Sequence, residues 1–158
     1  MNTLSKVYCR TFQTIMKLGH YFLNYRIPET MKGAGSIKRL PAFIRNKGID
    51  RILVVTDAGL MKLELPVPML EAMKQAGITC TVYDGVAPNP TSDNVEEGLK
   101  LYLKNGCKGI VAIGGGSPID CAKAISARIV RPKRTVAQLQ GLLKVNQFFL
   151  LAVYAVCL

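Results

Sequence analysis

Three consecutive glycines, Gly114, Gly115 and Gly116, followed by Ser117, lie between the apolar run KGIVAI (108–113) and the helical pattern SPIDCAKAI (117–125). Residues without a Cβ let backbone N–H groups come close to an anion. A helix starting at Ser117 or Pro118 adds unpaired N–H groups and the positive end of its dipole, so the chemistry on offer is phosphate binding. Ser117 would either cap that helix or give its hydroxyl to a phosphate oxygen. Asp120 falls in the expected first turn, where it stabilises the helix end yet opposes a bound anion. The pattern is neither GxGxxG nor a P-loop, which needs a lysine directly before Ser or Thr. By itself it describes a tight turn as well as it describes a phosphate site.

Two further positions have the right chemistry. Asp57 closes the run RILVVTD (51–57). A carboxylate there either accepts hydrogen bonds from a ribose and repels a 2′-phosphate, or is an ordinary loop aspartate. Asn89 stands between Pro88 and Pro90, which restrict the backbone on both sides. An amide held in this way suits ligand contact and plain turn chemistry equally. The five cysteines (Cys9, Cys80, Cys107, Cys121, Cys157) include no CxxC pair, and His20 is the only histidine. No metal-ligand spacing or disulfide framework is legible, and a reducing, cytoplasmic setting fits best.

The elements that must position these residues alternate along the chain. RILVVTD (51–57) is a short β-branched apolar run, the mark of a strand buried on both faces, and ITCTVYDGV (78–86) and KGIVAI (108–113) read as the second and third strands. Between them, 58–76 reads as helical with a break at Pro66 and Pro68 and a helix resuming at about Val67. The segment after PNP reads as a helix capped by Thr91 or Ser92, with Glu96 and Glu97 in its first turn and Gly106 at its end. A third helix runs from Ser117 or Pro118 through Ala127. Before the first strand, Pro28 to Gly35 reads as irregular, Ser36 as a helix cap and Gly48 as a stop. This alternation predicts a doubly wound, Rossmann-like parallel sheet, in which ligands bind beyond the carboxyl ends of the strands. Thr56-Asp57, Asp84-Gly85 with PNP, and Gly114–Ser117 are expected to converge there.

The chain of 158 residues is long enough for one ordinary domain, with 49% hydrophobic and 20% charged residues and a formal charge of +11. That charge admits nucleic acid, an anionic membrane or an anionic small ligand. Arg128, Arg131, Lys133 and Arg134 are the densest basic cluster, but no nucleic-acid motif or aromatic interleaving accompanies them. The first 28 residues carry no acid, and Leu4, Val7, Thr11, Ile15, Leu18 and Phe22 recur at helical spacing. Such a segment is a mitochondrial presequence, a membrane-surface helix or, more simply, a helix packed on its own domain.

VTDAGLM (55–61), YDGVAPNPT (83–91) and GGGSPIDCAKAI (114–125) occur in this order at family-like spacing. Together they resemble the N-terminal half of the iron-containing (group III) alcohol dehydrogenases. YRIPETMKGAGSIKRLP and RPKRTVAQLQGLLKV resemble a microbial alcohol or butanol dehydrogenase subgroup, so the resemblance covers residues 1–145. It implies oxidation of an alcohol, or reduction of an aldehyde, with NAD in preference to NADP and with a divalent iron or zinc. It further implies a cytoplasmic homo-oligomer with no nucleic-acid or membrane partner. Carried over, Gly115, Gly116 and Ser117 bind the cofactor pyrophosphate, Asp57 faces the adenosine ribose, Asn89 lines the same cleft and Asp120 lies beside the glycine loop.

After GLLKV the family pattern stops, and NQFFLLAVYAVCL takes its place. The family's larger helical domain, with its metal-binding aspartate and histidines, is not legible, so no metal ligand is assigned. The expected division is a helical extension (1–35), a dinucleotide-binding domain (36–145) and a divergent apolar tail (146–158). FFLLAVYAVCL is too short to span a bilayer, which takes roughly 20 residues. A truncated or frame-shifted product, inactive alone, is the expectation. The alternatives are an interaction fragment that joins full-length subunits, and a basic nucleic-acid-binding module.

Overall fold

The structure is a computed structural model and describes residues 3–22, 35–140 and 153–156, in two compact units, 1–33 and 34–158. The first unit contributes one helix, α1 (Thr3–Phe22), with Tyr8 and Phe12 stacked at 6.4 Å. The part of the expected irregular stretch from Pro28 to Ala34 lies outside the described residues.

The second unit contains α2 (Leu40–Asn46), β1 (Arg51–Val55), α3 (Ala58–Lys62), α4 (Val67–Gln75), β2 (Thr79–Tyr83), α5 (Ser92–Lys104), β3 (Gly109–Ile113), α6 (Gly116–Val130) and β4 (Val153–Val156). The strands form one sheet in the order β2-β1-β3-β4, parallel throughout. This is the Rossmann-like α/β fold read from the sequence. Part of the apolar tail is thus a strand, with Ile110 opposite Val153 and Ile113 opposite Val156. The remainder of that tail lies outside the described residues.

Alternation along β1 and β3 assigns two buried faces. Leu53, Val55, Ile110 and Ala112 pack with Val95, Leu99 and Tyr102 of α5 and Cys121, Ala122 and Ile125 of α6. Ile52, Val54, Val111 and Ile113 point the other way and are equally buried. A strand covered on both faces has no use for polar residues, which is why these runs read as continuous hydrophobe. The break inside 58–76 falls where the prolines put it. Pro66 precedes α4, Pro68 sits in its first turn, and Glu64 takes a left-handed φ of 55° between α3 and α4.

The start at Ser36 differs from expectation, while α5 starts at the expected Thr91 cap with Glu96 and Glu97 one turn deeper than expected. Ser36 is no cap: it opens a 3₁₀ turn (Ser36–Arg39), and Gly35 before it has a φ of 73°. The α5 helix starts at Ser92 with Thr91 as cap, so Asp93 lies in its first turn, while Glu96 and Glu97 fall in the second. Glu96 binds Arg128 of α6 at 2.7 Å, and that guanidinium holds the Glu96 carboxyl below its ordinary range. Arg128 also donates to the carbonyl oxygens of Arg131 and Pro132. Arg128, the first residue of the basic cluster, is therefore a tie between α5, α6 and the following loop.

The Thr91 cap is reciprocal. Its hydroxyl accepts from Asn94 N–H at 3.4 Å, and the Asn94 side chain accepts from Thr91 N–H at 3.2 Å. Thr91→Ala is expected to cost about 1 kcal/mol in urea unfolding, and no change in the unfolding midpoint would contradict the capping role.

Candidate functional site

The chain runs from β1 outward to β2, then crosses to β3 on the other side of β1. The order therefore reverses between β1 and β3, and a crevice opens beyond their carboxyl ends at such a point. Asp57 and Gly114–Ser117 flank it.

The three glycines divide into two kinds. Gly114 has a φ of +133°, and a Cβ there would stand 2.9 Å from Leu60 Cδ1 and 3.0 Å from Pro118 Cγ. It is the turn that seats the loop against α3 and α6. Around Gly115 and Gly116 a Cβ would meet nothing within 4 Å. The α6 helix starts at Gly116, with Gly115 as its cap residue and no side chain capping it. Its first N–H groups have no partner within the helix, and no side chain would crowd the Cβ positions of these two residues.

Asp57 caps α3, its Oδ1 accepting from Leu60 N–H at 3.0 Å. Its Oδ2 lies 3.4 Å from the Cβ position of Gly114, so the carboxylate borders the glycine loop. Asn89 takes a left-handed φ of 57° and donates its N–H to Ser117 Oγ at 3.4 Å, which ties the PNP turn to α6. Ser117 is thus one residue inside the helix and does not cap it. The PNP turn is fixed from below as well: Asn94 donates to Gly85 O at 3.1 Å, and Tyr83 O–H donates to Glu97 at 3.1 Å. Burial, helped by Glu97, raises the Tyr83 pKa.

Asp120 is displaced from its expected place. Because α6 starts at Gly116, Asp120 lies in the second turn, exposed, and pairs with Lys123 at 3.2 Å. The structure thus brings Asp57, Asn89, Gly115, Gly116 and Ser117 to one strand edge, with Asp120 one turn further along.

One neighbour, Leu60, was not expected at this edge. Leu60 and Pro118 wall the Gly114 turn, and only the fold brings Leu60 there. Thr56, expected at this edge with Asp57, is fully buried, and its Oγ1 has no hydrogen-bond partner. A groove of about 520 Å³ runs along β2 past Leu70, Lys74, Ile78, Cys80 and Val82, away from the carboxyl ends of the strands. Burial pushes the Cys80 and Cys121 thiols up to about 11, so neither is poised as a nucleophile. Among the described residues no group of three His, Cys, Asp or Glu side chains could hold a metal ion, so these residues do not fit one.

Parallel order reversed at β1, a glycine turn into a helix and a carboxylate ending the central strand place the chain in the Rossmann-like α/β class. More narrowly, the chain belongs to the iron-containing alcohol dehydrogenase family, whose model matches residues 28–156. The match leaves α1 outside and continues through β4, past the last motif at 145. Among curated relatives, the chain is 42% identical over 105 residues to a choline dehydrogenase of Bacillus subtilis, covering 66% of this chain and 26% of the relative. An alcohol dehydrogenase from Oenococcus oeni is similar with a TM-score of 0.72 and 28% identity, over 80% of this chain and 33% of that one. A sulfoacetaldehyde reductase from Bifidobacterium kashiwanohense in complex with NAD+ is similar with a TM-score of 0.64 and 26% identity, over 75% of this chain and 31% of that one. The chain therefore spans about a quarter to a third of the length of these relatives.

Proposed function

We propose that residues 36–145 form the nicotinamide-cofactor half of a metal-dependent alcohol dehydrogenase that interconverts alcohols and aldehydes in a cytoplasmic homo-oligomer. We also propose that the 158-residue chain alone binds the dinucleotide without turnover. The observation that carries this reading is the clear space around the Cβ positions of Gly115 and Gly116, at the start of α6 beyond the end of β3, in a member of this family. The NAD+ bound to the sulfoacetaldehyde reductase supports it.

NAD bound at this edge supplies the hydride acceptor. The chain's part is to bind and orient. The first N–H groups of α6 face a pyrophosphate where no Cβ intervenes. Ser117 Oγ accepts from Asn89 N–H, which leaves its own proton to donate to a phosphate oxygen. Asp57, anchored through one oxygen by Leu60 N–H, offers the other to ribose hydroxyls, and its charge opposes a 2′-phosphate. Asp120 is assigned no contact, since its carboxylate is turned to Lys123. Holding a metal is not assigned to the described residues.

Isothermal titration of the purified chain tests this directly. NADH should bind saturably and NADPH about tenfold or more weakly. Asp57→Asn should narrow that gap, because asparagine keeps the α3 cap while removing the charge. The unmodified chain given NAD, iron(II) and short-chain alcohols should show no turnover. Absence of NADH binding by the folded chain overturns the dinucleotide site, and measurable turnover overturns the claim of incompetence.

A further inference from the structure

We propose that α1 is a surface anchor for anionic phospholipid, an interaction site separate from the cofactor edge. Its 20 residues form a continuous helix that lies before the family match, which starts at residue 28. At 3.6 residues per turn, Val7, Ile15, Tyr8 and Phe12 occupy an arc of roughly 140°, and Lys6, Arg10 and Lys17 fall within roughly 40° on the opposite side. Val7 is 60% exposed, Tyr8 72%, Phe12 50% and Ile15 61%. Arg10 and Lys17 are exposed too.

The charge pattern decides which partner fits. No acid occurs before Glu29, so the basic stripe has no ion-pair partner within the helix, and like charges spaced four apart repel. An anionic surface relieves that repulsion, whereas a second copy of the helix adds to it. A broad apolar arc with two aromatic rings exceeds what a phosphate backbone asks for. It suits a helix lying in the plane of a bilayer, rings among the acyl chains and basic groups among the headgroups. Among the described residues no helix is long and apolar enough to cross a membrane, so the helix lies on the surface.

Flotation of the full chain through a density gradient tests this, because vesicles rise while aggregates sink. The probes are vesicles of phosphatidylcholine alone and of an equal mixture with phosphatidylglycerol. The chain should float with the mixed vesicles and stay behind with the neutral ones. Raising salt from about 0.1 M to about 1 M should release it, as the screening length falls from about 10 Å to about 3 Å. Arg10→Glu with Lys17→Glu should weaken binding at least about 25-fold, at about fivefold per basic residue. Both substitutions lie outside the α/β unit, and the salt series needs no variant at all. Failure to float, equal flotation with neutral vesicles, or binding indifferent to salt or to the charge reversal overturns the proposal. A helix that covers its own domain or a second copy would give the first of these results.

Discussion

Gly115→Val is expected to leave the fold intact and to weaken NADH binding by about ten- to a hundredfold. Gly115 has φ −81° and ψ −157°, an extended conformation that a β-branched residue adopts without strain. Nothing lies within 4 Å of the added Cβ, so the change in unfolding free energy should stay within about 0.5 kcal/mol, as for an ordinary surface position. The isopropyl group would nonetheless occupy the approach to the first N–H groups of α6. Forcing a pyrophosphate past it costs about 1–3 kcal/mol, and every 1.4 kcal/mol is about tenfold in affinity. Isothermal titration beside a thermal melt reads both quantities on one sample. Binding unchanged within about twofold would mean that the glycines only turn the chain.

One residue earlier, the expectation reverses. Gly114→Ala should destabilise the α/β unit by about 2–6 kcal/mol. A φ of +133° is a region that side chains rarely enter, and the new Cβ would stand 2.9 Å from Leu60 and 3.0 Å from Pro118. The backbone strain costs about 1–3 kcal/mol, and the overpacking a similar amount. Since single domains hold only about 5–15 kcal/mol, urea unfolding should show a clear drop in midpoint. A loss below about 0.5 kcal/mol would show that Leu60 and Pro118 yield easily and do not seat the loop. Read together, the two variants separate a glycine needed by the fold from a glycine needed by a ligand.

The strands were the most legible part of the chain. RILVV and GIVAI are β-branched and apolar because β1 and β3 lie under helices on one face and other apolar side chains on the other, whereas TCTVY keeps two threonines because β2 is a half-buried edge strand. Pro66 and Pro68 likewise marked a helix break that needs no tertiary information, since a missing N–H and a fixed φ act locally. Helix starts were less legible by one to two residues. That margin moved Asp120 from a first turn to a second, where it finds Lys123; α5 starts at the expected Thr91 cap, and Glu96 and Glu97 lie in its second turn, where Glu96 finds Arg128. Local sequence placed those acids near helix ends, but it carries no information about which partner a neighbouring helix presents.

What the sequence by itself determined is the alternation of strand and helix, the glycine turn into α6, and the motif order that marks the family. All of these follow from short-range rules of hydrophobic pattern, φ preference and capping. The tertiary structure alone decided which glycine is packed and which is open, because that depends on Leu60 arriving from α3, more than fifty residues earlier in the chain. It also decided that Ser117 receives the Asn89 N–H instead of capping its own helix, since the PNP turn meets α6 only once β2 and β3 have flanked β1. Part of the apolar tail became a strand for the same reason, as β3 offered an edge with which it could pair.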